Sequence, residues 1–373
     1  MLMPTPTPTP MPQPIDPSAP KTLHIIGSRK SGGAERFFLR LAGALSQRAE
    51  TASLTARGSD LNAALTPGLN RFHAPLAGVW DLWSRWRIRQ TVKRFQPDIV
   101  QTYMGRATRL THLPKGKKPV HVARLGGYYN LKGYRHAHAW VGNTRGICDY
   151  LMQQGLPAER VFHIGNFVDI PPRLSADELS RQRLAQGIPA TARVVLGLGR
   201  LHPNKGFADL LDAFARLPGE LDGQPLLLLM VGDGPLRDSL KRQADTLAIG
   251  DRVIWAGWRD DPAASYQMAD LFVCSSRHEP LGNVVLEAWA NRTLVVSTRS
   301  EGPLEMLEDG VDGLFAEKAD AVDLARAIQL GLTLPATARD DMVAAGYRKL
   351  ETNFSEAAIV AAYQALYRKL TQA

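Results

Sequence analysis

Between Thr22 and Thr298, short runs of apolar residues alternate with longer stretches in which apolar positions recur every three or four residues. That rhythm is βαβα, the pattern of parallel sheets covered by helices on both faces. In the first half, Thr22 to Ile26, Asp98 to Thr102 and Trp140 to Gly142 read as strands, and Gly32 to Ser46 reads as a loop entering a helix. The second half predicts strands at Arg193 to Leu198, Pro225 to Val231, Arg252 to Ala256, Leu271 to Cys274 and Thr293 to Thr298. Helices are expected at Phe207 to Leu217 and Pro235 to Leu247.

Two such sets imply an α/β protein of two doubly wound domains. The boundary is expected within Phe167 to Ala190, where Pro171, Pro172 and Pro189 flank a polar segment. The expected division is a disordered Pro/Thr-rich leader at 1–20, a first domain at 21–170, a second at 171–350, and a C-terminal helix at 351–373 packing back towards the first domain. Doubly wound sheets bind ligands beyond the carboxyl ends of their strands, so functional residues belong in the loops after strands and a cleft between domains is the expected active site.

Composition narrows the class. A chain of 373 residues with 45% apolar and 22% charged residues can bury sizeable cores, which excludes wholesale disorder. Cys148 and Cys274 lie far apart without metal-ligand spacing, and a reducing compartment is the simplest reading. Apolar stretches such as Leu226 to Val231 fall far short of the roughly 20 residues that cross a bilayer. The net charge of +9 is unevenly spread: residues 1–180 carry 24 Lys/Arg against 11 Asp/Glu, whereas the rest carry 21 against 25. The first half is therefore expected to face an acidic partner, whether nucleic acid, anionic lipid or a phosphorylated substrate.

Three segments carry chemistry. Glu279-Pro-Leu-Gly-Asn-Val-Val-Leu-Glu287 follows an apolar strand and leads into a helix expected to start near Leu281. Free N–H groups at Gly282, Asn283 and Val284 would then favour an anion in front of the helix. Glu279 and Glu287 could reach a sugar and a ribose diol; alternatively, one caps the helix and the other is a solvated charge. Gly199-Arg-Leu-His-Pro-Asn-Lys-Gly206 sets Arg200 and Lys205 on a turn after a strand, as partners for a diphosphate or as ordinary surface cations. Ser28 to Glu35 contains Gly32 and Gly33 but matches neither G-x-G-x-x-G nor a P-loop, so nicotinamide and ATP sites are not indicated.

With these residues in view, the sequence resembles family 4 of the retaining glycosyltransferases, which have the GT-B architecture of two facing Rossmann-like domains. The resemblance rests on the Glu279/Glu287 spacing, GRLHPNKG, VGDGP at Val231 to Pro235, AGW near Gly257, EGPLEM at Glu301 to Met306, and Asn166-Phe-Val-Asp169. It implies that Arg200 and Lys205 bind the donor diphosphate, that Glu279 contacts the transferred sugar, and that these three form the catalytic set. It further implies that Glu287 holds the ribose and that backbone from Leu281 through Gly282 and Asn283 to Val284 meets sugar and phosphates. Gly33 is expected to approach the diphosphate, with Trp258 and Arg259 near the base. Many members carry a histidine where this chain has Gly126, in Arg124-Leu-Gly-Gly-Tyr-Tyr129, leaving Tyr128, Tyr129 and His136 as substitutes.

On the acceptor side, Val79 to Phe95 can be drawn as one helix with Ile88, Val92 and Phe95 on one face and Trp80, Trp83 and Trp86 among Arg85, Arg87 and Arg94 on the other. The Trp/Arg face suits a membrane interface or an ordinary helix packed on both sides. The expectation is a retaining, hexosyl-type transferase acting from a nucleotide sugar, UDP-linked by preference, on a lipid-linked or lipopolysaccharide acceptor. No metal or other cofactor and no nucleic-acid partner is expected; its place is the cytoplasm, peripheral at the inner face of the membrane. The alternatives are a GT-B epimerase or hydrolase, or a non-catalytic nucleotide-sugar-binding protein at the membrane.

Overall fold

Strands that are apolar on both faces need cover on both faces, and both halves of the chain obtain it in the same order. The computed structural model describes residues 16–29 and 32–372. By its contacts the chain divides into two units, one of residues up to Asn143 with Cys148–Ile164 and Val360 onwards, the other of Thr144–Ile147 and Gly165–Ile359.

The first sheet contains β1 (Thr22–Ile26), β2 (Thr51–Ala56), β3 (Asn70–Ala74), β4 (Ile99–Tyr103), β5 (Val120–Leu125), β6 (Ala139–Gly142) and β7 (Val161–His163), in the order β3-β2-β1-β4-β5-β6-β7. All its pairings are parallel. The second sheet contains β8 (Arg193–Leu198), β10 (Gln224–Val231), β11 (Val253–Gly257), β12 (Leu271–Cys274), β13 (Leu294–Thr298) and β14 (Leu314–Ala316), in the order β11-β10-β8-β12-β13-β14; the short β9 (Glu220–Leu221) pairs antiparallel with β10. Each sheet thus grows outwards on one side of its first strand and then returns to the other side. This reversal places the switch points at β1/β4 and β8/β12, where loops leave neighbouring strands in opposite directions and open a crevice.

Side-chain alternation divides the second core into two layers. Val195, Leu228, Met230 and Val273 meet helices Phe207–Phe214 and Ala321–Thr333, whereas Val194, Leu196, Leu229 and Phe272 meet Tyr266, Leu286 and Trp289. In the first unit, β1 and β4 carry a buried polar chain. His24 Nδ1 lies 2.8 Å from Tyr103 Oη, Gln101 Nε2 donates to the same hydroxyl at 2.7 Å, and Tyr367 donates to Gln101 Oε1 at 2.7 Å. Tyr363 Oη accepts from Arg124 Nε at 3.1 Å. The last helix, Glu356–Gln372, therefore supplies two tyrosines to the first unit.

Several boundaries differ from the sequence-based expectation for local reasons. The unit boundary falls at Ile164/Gly165, earlier than 170/171, because Val168 is buried in the second core and Asn166 donates to Asn283 Oδ1 at 2.9 Å. The helix drawn from Val79 begins at Leu82, because Asp81 accepts from Ser84 N–H at 2.9 Å and caps it; Trp80 precedes the helix. The helix expected near Leu281 begins at Asn283, with Gly282 as its left-handed N-cap (φ 86°). Residues 1–15 of the expected leader lie outside the described residues. Asp16 to Pro20 are folded: Asp16 N–H donates to Arg48 O at 3.1 Å, and Arg368 reaches Asp16 at 3.4 Å.

Candidate active site

The β8/β12 switch point of the second unit gathers the second-half motifs. The GRLHPNKG loop leaves the carboxyl end of β8, and the loop carrying Glu279 leaves that of β12. Backbone contacts clasp the two loops: Arg277 and His278 N–H donate to Asn204 O at 2.9 and 3.1 Å, and Ser275 Oγ donates to Lys205 O at 2.9 Å. Arg277 adds a two-pronged contact with Asp209 at 2.7 and 2.6 Å. The clasp turns Lys205 onto Glu279.

Glu279 is only 8% exposed; its carboxylate takes hydrogen bonds from Lys205 Nζ and, at 3.2 Å, from Ser276 Oγ. Burial by itself would pull the Lys205 ammonium down, but Glu279, Cys274 and Glu287 together hold it above its ordinary value. Lys205 is therefore a fixed cation at neutral pH. Behind Glu279, its N–H donates to Glu301 Oε2 at 3.1 Å and its carbonyl accepts from Gly302 N–H at 2.8 Å, so the EGPLEM segment braces this loop. A β-carbon on Gly302 would run into the Leu281 backbone, which is why this close approach requires glycine.

Further expected donor residues lie on the same two loops and on the helix that follows. Asn283 and Val284 open the helix Asn283–Ala290, presenting first-turn amides that lack intrahelical acceptors. Leu281 and Gly282 are buried ahead of it. Glu287 lies one turn into the helix and accepts from Tyr266 Oη at 3.2 Å; the same hydroxyl lies 3.2 Å from the Val284 carbonyl. Burial, then Glu287, holds the Tyr266 phenol well above its usual range, so it remains a hydrogen-bond donor. Arg200 is exposed, and its guanidinium has no ion-pair partner among the described residues.

The remaining expected residues lie on other segments of the two units. Trp258 is 53% exposed after the edge strand β11, donating its indole N–H to Asp260 at 3.0 Å, and Arg259 lines a cavity with Pro171, Gln182 and Gln267. Gly33 belongs to the first unit, where it is exposed as the first residue of helix Gly33–Ser46; Lys30 and Ser31 before it lie outside the described residues. Trp83 and Trp86 stack at 4.7 Å on the exposed side of helix Leu82–Phe95, whereas Arg87 is turned onto the His73 carbonyl at 3.3 Å. Trp80, Arg85 and His136 line a common cavity. Tyr129 stacks on Tyr134 at 6.2 Å, and Tyr128 meets Tyr150 edge-on at 5.4 Å.

Sequence reasoning missed Tyr266, Ser276, Glu301 as a brace, and Asn166 as the partner of Asn283. Tyr266 sits in a short helix whose periodicity marks only a core face. Nothing local to it points to a carboxylate 21 positions away.

Two Rossmann-ordered parallel sheets, with cations and a helix tip at the switch point of the second, define the class as a doubly wound α/β scaffold with a crevice suited to an anionic ligand. Comparison with known proteins agrees. The signature "Glycosyl transferases group 1" matches residues 180–349, and "Glycosyltransferase Family 4" matches residues 31–170. The lipopolysaccharide core biosynthesis glycosyltransferase LpsE of Rhizobium meliloti is 36% identical over 347 residues, spanning 90% of this chain and 95% of that protein. LpsD of the same organism is 33% identical over 355 residues, spanning 93% and 98%. Among solved structures, Anabaena Alr3699/HepE in complex with UDP and glucose superposes with a TM-score of 0.78 at 21% identity, covering 95% of this chain and 100% of that one. The chain belongs to the family 4 glycosyltransferases of GT-B fold, and it is a glycosyltransferase.

Proposed function

We propose that this protein is a retaining, metal-independent hexosyltransferase that moves a sugar from a UDP-linked donor to a hydroxyl of a lipopolysaccharide-type or other lipid-linked acceptor. The observation that carries the reading is the Lys205–Glu279 pair beside the amide tip of helix Asn283–Ala290, with the exposed Arg200 on the same loop as Lys205. The relatives LpsE and LpsD, named for lipopolysaccharide core biosynthesis, support the acceptor class, and the UDP bound by Alr3699/HepE supports the base.

Breaking the bond between the anomeric carbon and the diphosphate builds negative charge on the leaving oxygen. Arg200 and Lys205 supply fixed positive charge there, and the amides at Asn283 and Val284 supply hydrogen bonds. Losing one such donor costs roughly 2.7–4 kcal/mol, more than the ~2 kcal/mol upper range of a helix terminus, so the side chains dominate. Lys205 also holds the Glu279 carboxylate in place against the sugar. Glu287, oriented by Tyr266, is the acceptor for the ribose hydroxyls. Attack from the leaving-group face, with the departing phosphate taking the acceptor's proton, retains configuration and needs no separate base. With the diphosphate neutralised by side chains, a divalent ion is dispensable.

No described helix is long and apolar enough to cross a membrane, and the exposed Trp83 and Trp86 on a basic helix support peripheral attachment at the cytoplasmic face. The test is UDP release from candidate UDP-sugars, with and without an acceptor glycan and with and without EDTA, followed by NMR of the new linkage. Acceptor-dependent release, insensitive to EDTA and giving the donor's anomeric configuration, is expected. Release independent of acceptor would identify a hydrolase instead.

A further inference from the structure

A cavity of about 500 Å³ in the first unit is lined by Trp80, Arg85, Arg109, His112, Lys132 and His136, with no carboxylate on its wall. Surfaces that serve solubility intersperse both signs of charge; this concavity does not. Three segments converge to make it: helix Leu82–Phe95 brings Arg85, helix Met104–Leu110 brings Arg109 with His112 two residues beyond its end, and the turn Leu131–Gly133 brings Lys132. Asn130 caps that turn by accepting Lys132 N–H at 3.0 Å. Gly133 makes room for Arg109, since a β-carbon there would collide with the Arg109 side chain.

Both arginines on this wall keep one N–H without an acceptor. Nε of Arg85 and Nε of Arg109 are buried and have no hydrogen-bond partner among the described residues. Buried guanidinium N–H groups left in this state are costly, and an oxyanion in the cavity would offset that cost through the charge of the two guanidinium groups that line it. His112 and His136 stack at 4.1 Å with an interplanar angle of 6°, and His136 Nε2 lies 2.9 Å from the carbonyls of Thr108 and Thr111, which fixes that ring. The volume is that of a small-molecule site and leaves room beyond one phosphate group. Trp80, 83% exposed, provides an apolar wall for the less polar face of a sugar ring.

We propose that this cavity binds a phosphorylated sugar, with the phosphate on Arg85, Arg109 and Lys132 and the ring against Trp80. The inference rests on the glycosyltransferase reading only in making this ligand the acceptor-side group; binding itself is tested without turnover. Glucose 6-phosphate, inorganic phosphate, glucose and UDP are titrated into the full chain by calorimetry, with thermal unfolding as a check on folding. Glucose 6-phosphate is expected to bind the wild type and Lys205→Ala alike, and to lose roughly tenfold or more in affinity in Arg85→Gln and Arg109→Gln. Gly133→Ala, which displaces Arg109 without changing charge, is expected to weaken binding in the same direction. Trp80→Ala should weaken glucose 6-phosphate and leave inorganic phosphate unchanged.

Glucose 6-phosphate binding that is absent, that survives both arginine substitutions, or that disappears in Lys205→Ala overturns the proposal. Equal affinities for inorganic phosphate and the sugar phosphate also overturn it, in favour of a free-anion site. Retention on phosphatidylglycerol vesicles that depends on Arg85 and Arg109, without glucose 6-phosphate binding, assigns the cavity to a lipid headgroup and overturns it as well. UDP binding should persist in every cavity variant; its loss in the wild type would strike the donor reading and leave this one standing.

Discussion

The β-carbon that Gly206 lacks would drive into the backbone carbonyl of Ser275, and Gly206 adopts the left-handed conformation with φ 62°. Only glycine lets the β8 loop close against the β12 loop and aim Lys205 at Glu279. Gly206→Ala is expected to add at least about 1–2 kcal/mol of strain before any clash is counted. Thermal unfolding should shift down by at least a few degrees, and kcat/KM should fall because the clasp opens. Unchanged melting with full activity would show that the loops close without glycine.

Lys205→Ala removes a fixed cation and leaves the Glu279 carboxylate, 8% exposed, with Ser276 Oγ as its remaining side-chain donor among the described residues. A fall in kcat/KM of about 100-fold or more is expected, from loss of a donor in a water-poor site. Steady-state kinetics on purified protein decides it; a change under threefold would remove Lys205 from the chemistry.

Tyr266→Phe deletes the hydroxyl 3.2 Å from Glu287 Oε2 without emptying the core position. Tyr266 acts through Glu287, so the effect should appear in donor KM, rising about 3- to 10-fold, with kcat nearly constant. A purely structural role would instead lower the melting temperature and leave KM alone.

Acid should destabilise the first unit before its carboxylates titrate. Burial holds His24 down to about 3, and burial, then His136, His138 and His112, holds His121 well below its ordinary value. The unfolded chain takes these protons near pH 6.5, whereas the folded chain refuses them. Stability is therefore complete above that pH and falls as pH drops from about 6.5 towards 3, with a slope approaching ~1.4 kcal/mol per unit for each such histidine. Urea unfolding at stepped pH measures this, and His24→Gln should flatten the slope between pH 6 and 4.5, a window taken from the depressed histidine values.

Trp83 and Trp86, stacked and 60% and 44% exposed, should carry membrane attachment together with the basic surface of their helix. Co-sedimentation with anionic vesicles is expected to fall several-fold in the Trp83→Ala/Trp86→Ala double variant and with added salt. Equal binding to neutral vesicles at any salt concentration would refute this attachment.

Much of the second unit was legible in advance. β8 and β12 match their apolar runs residue for residue, because parallel strands buried on both faces leave an uninterrupted apolar signature between turn residues. The Glu279/Glu287 spacing and the Arg200 to Lys205 loop were visible because each lies in one continuous segment. Helix edges were less visible: the start at Leu82 depends on Asp81 capping through Ser84, and the start at Asn283 on Gly282 turning left-handed.

The linear order of apolar and polar residues, acting through local periodicity and turn chemistry, determined the α/β class, the two units and the segments that hold the motifs. Tertiary structure decided which side chains face one another: Lys205 on Glu279, Tyr266 on Glu287, Asn166 on Asn283, and Arg85 beside Arg109 around one cavity. Those pairs join residues from 21 to 117 positions apart. Their meeting depends on strand order and loop closure, which no local pattern encodes.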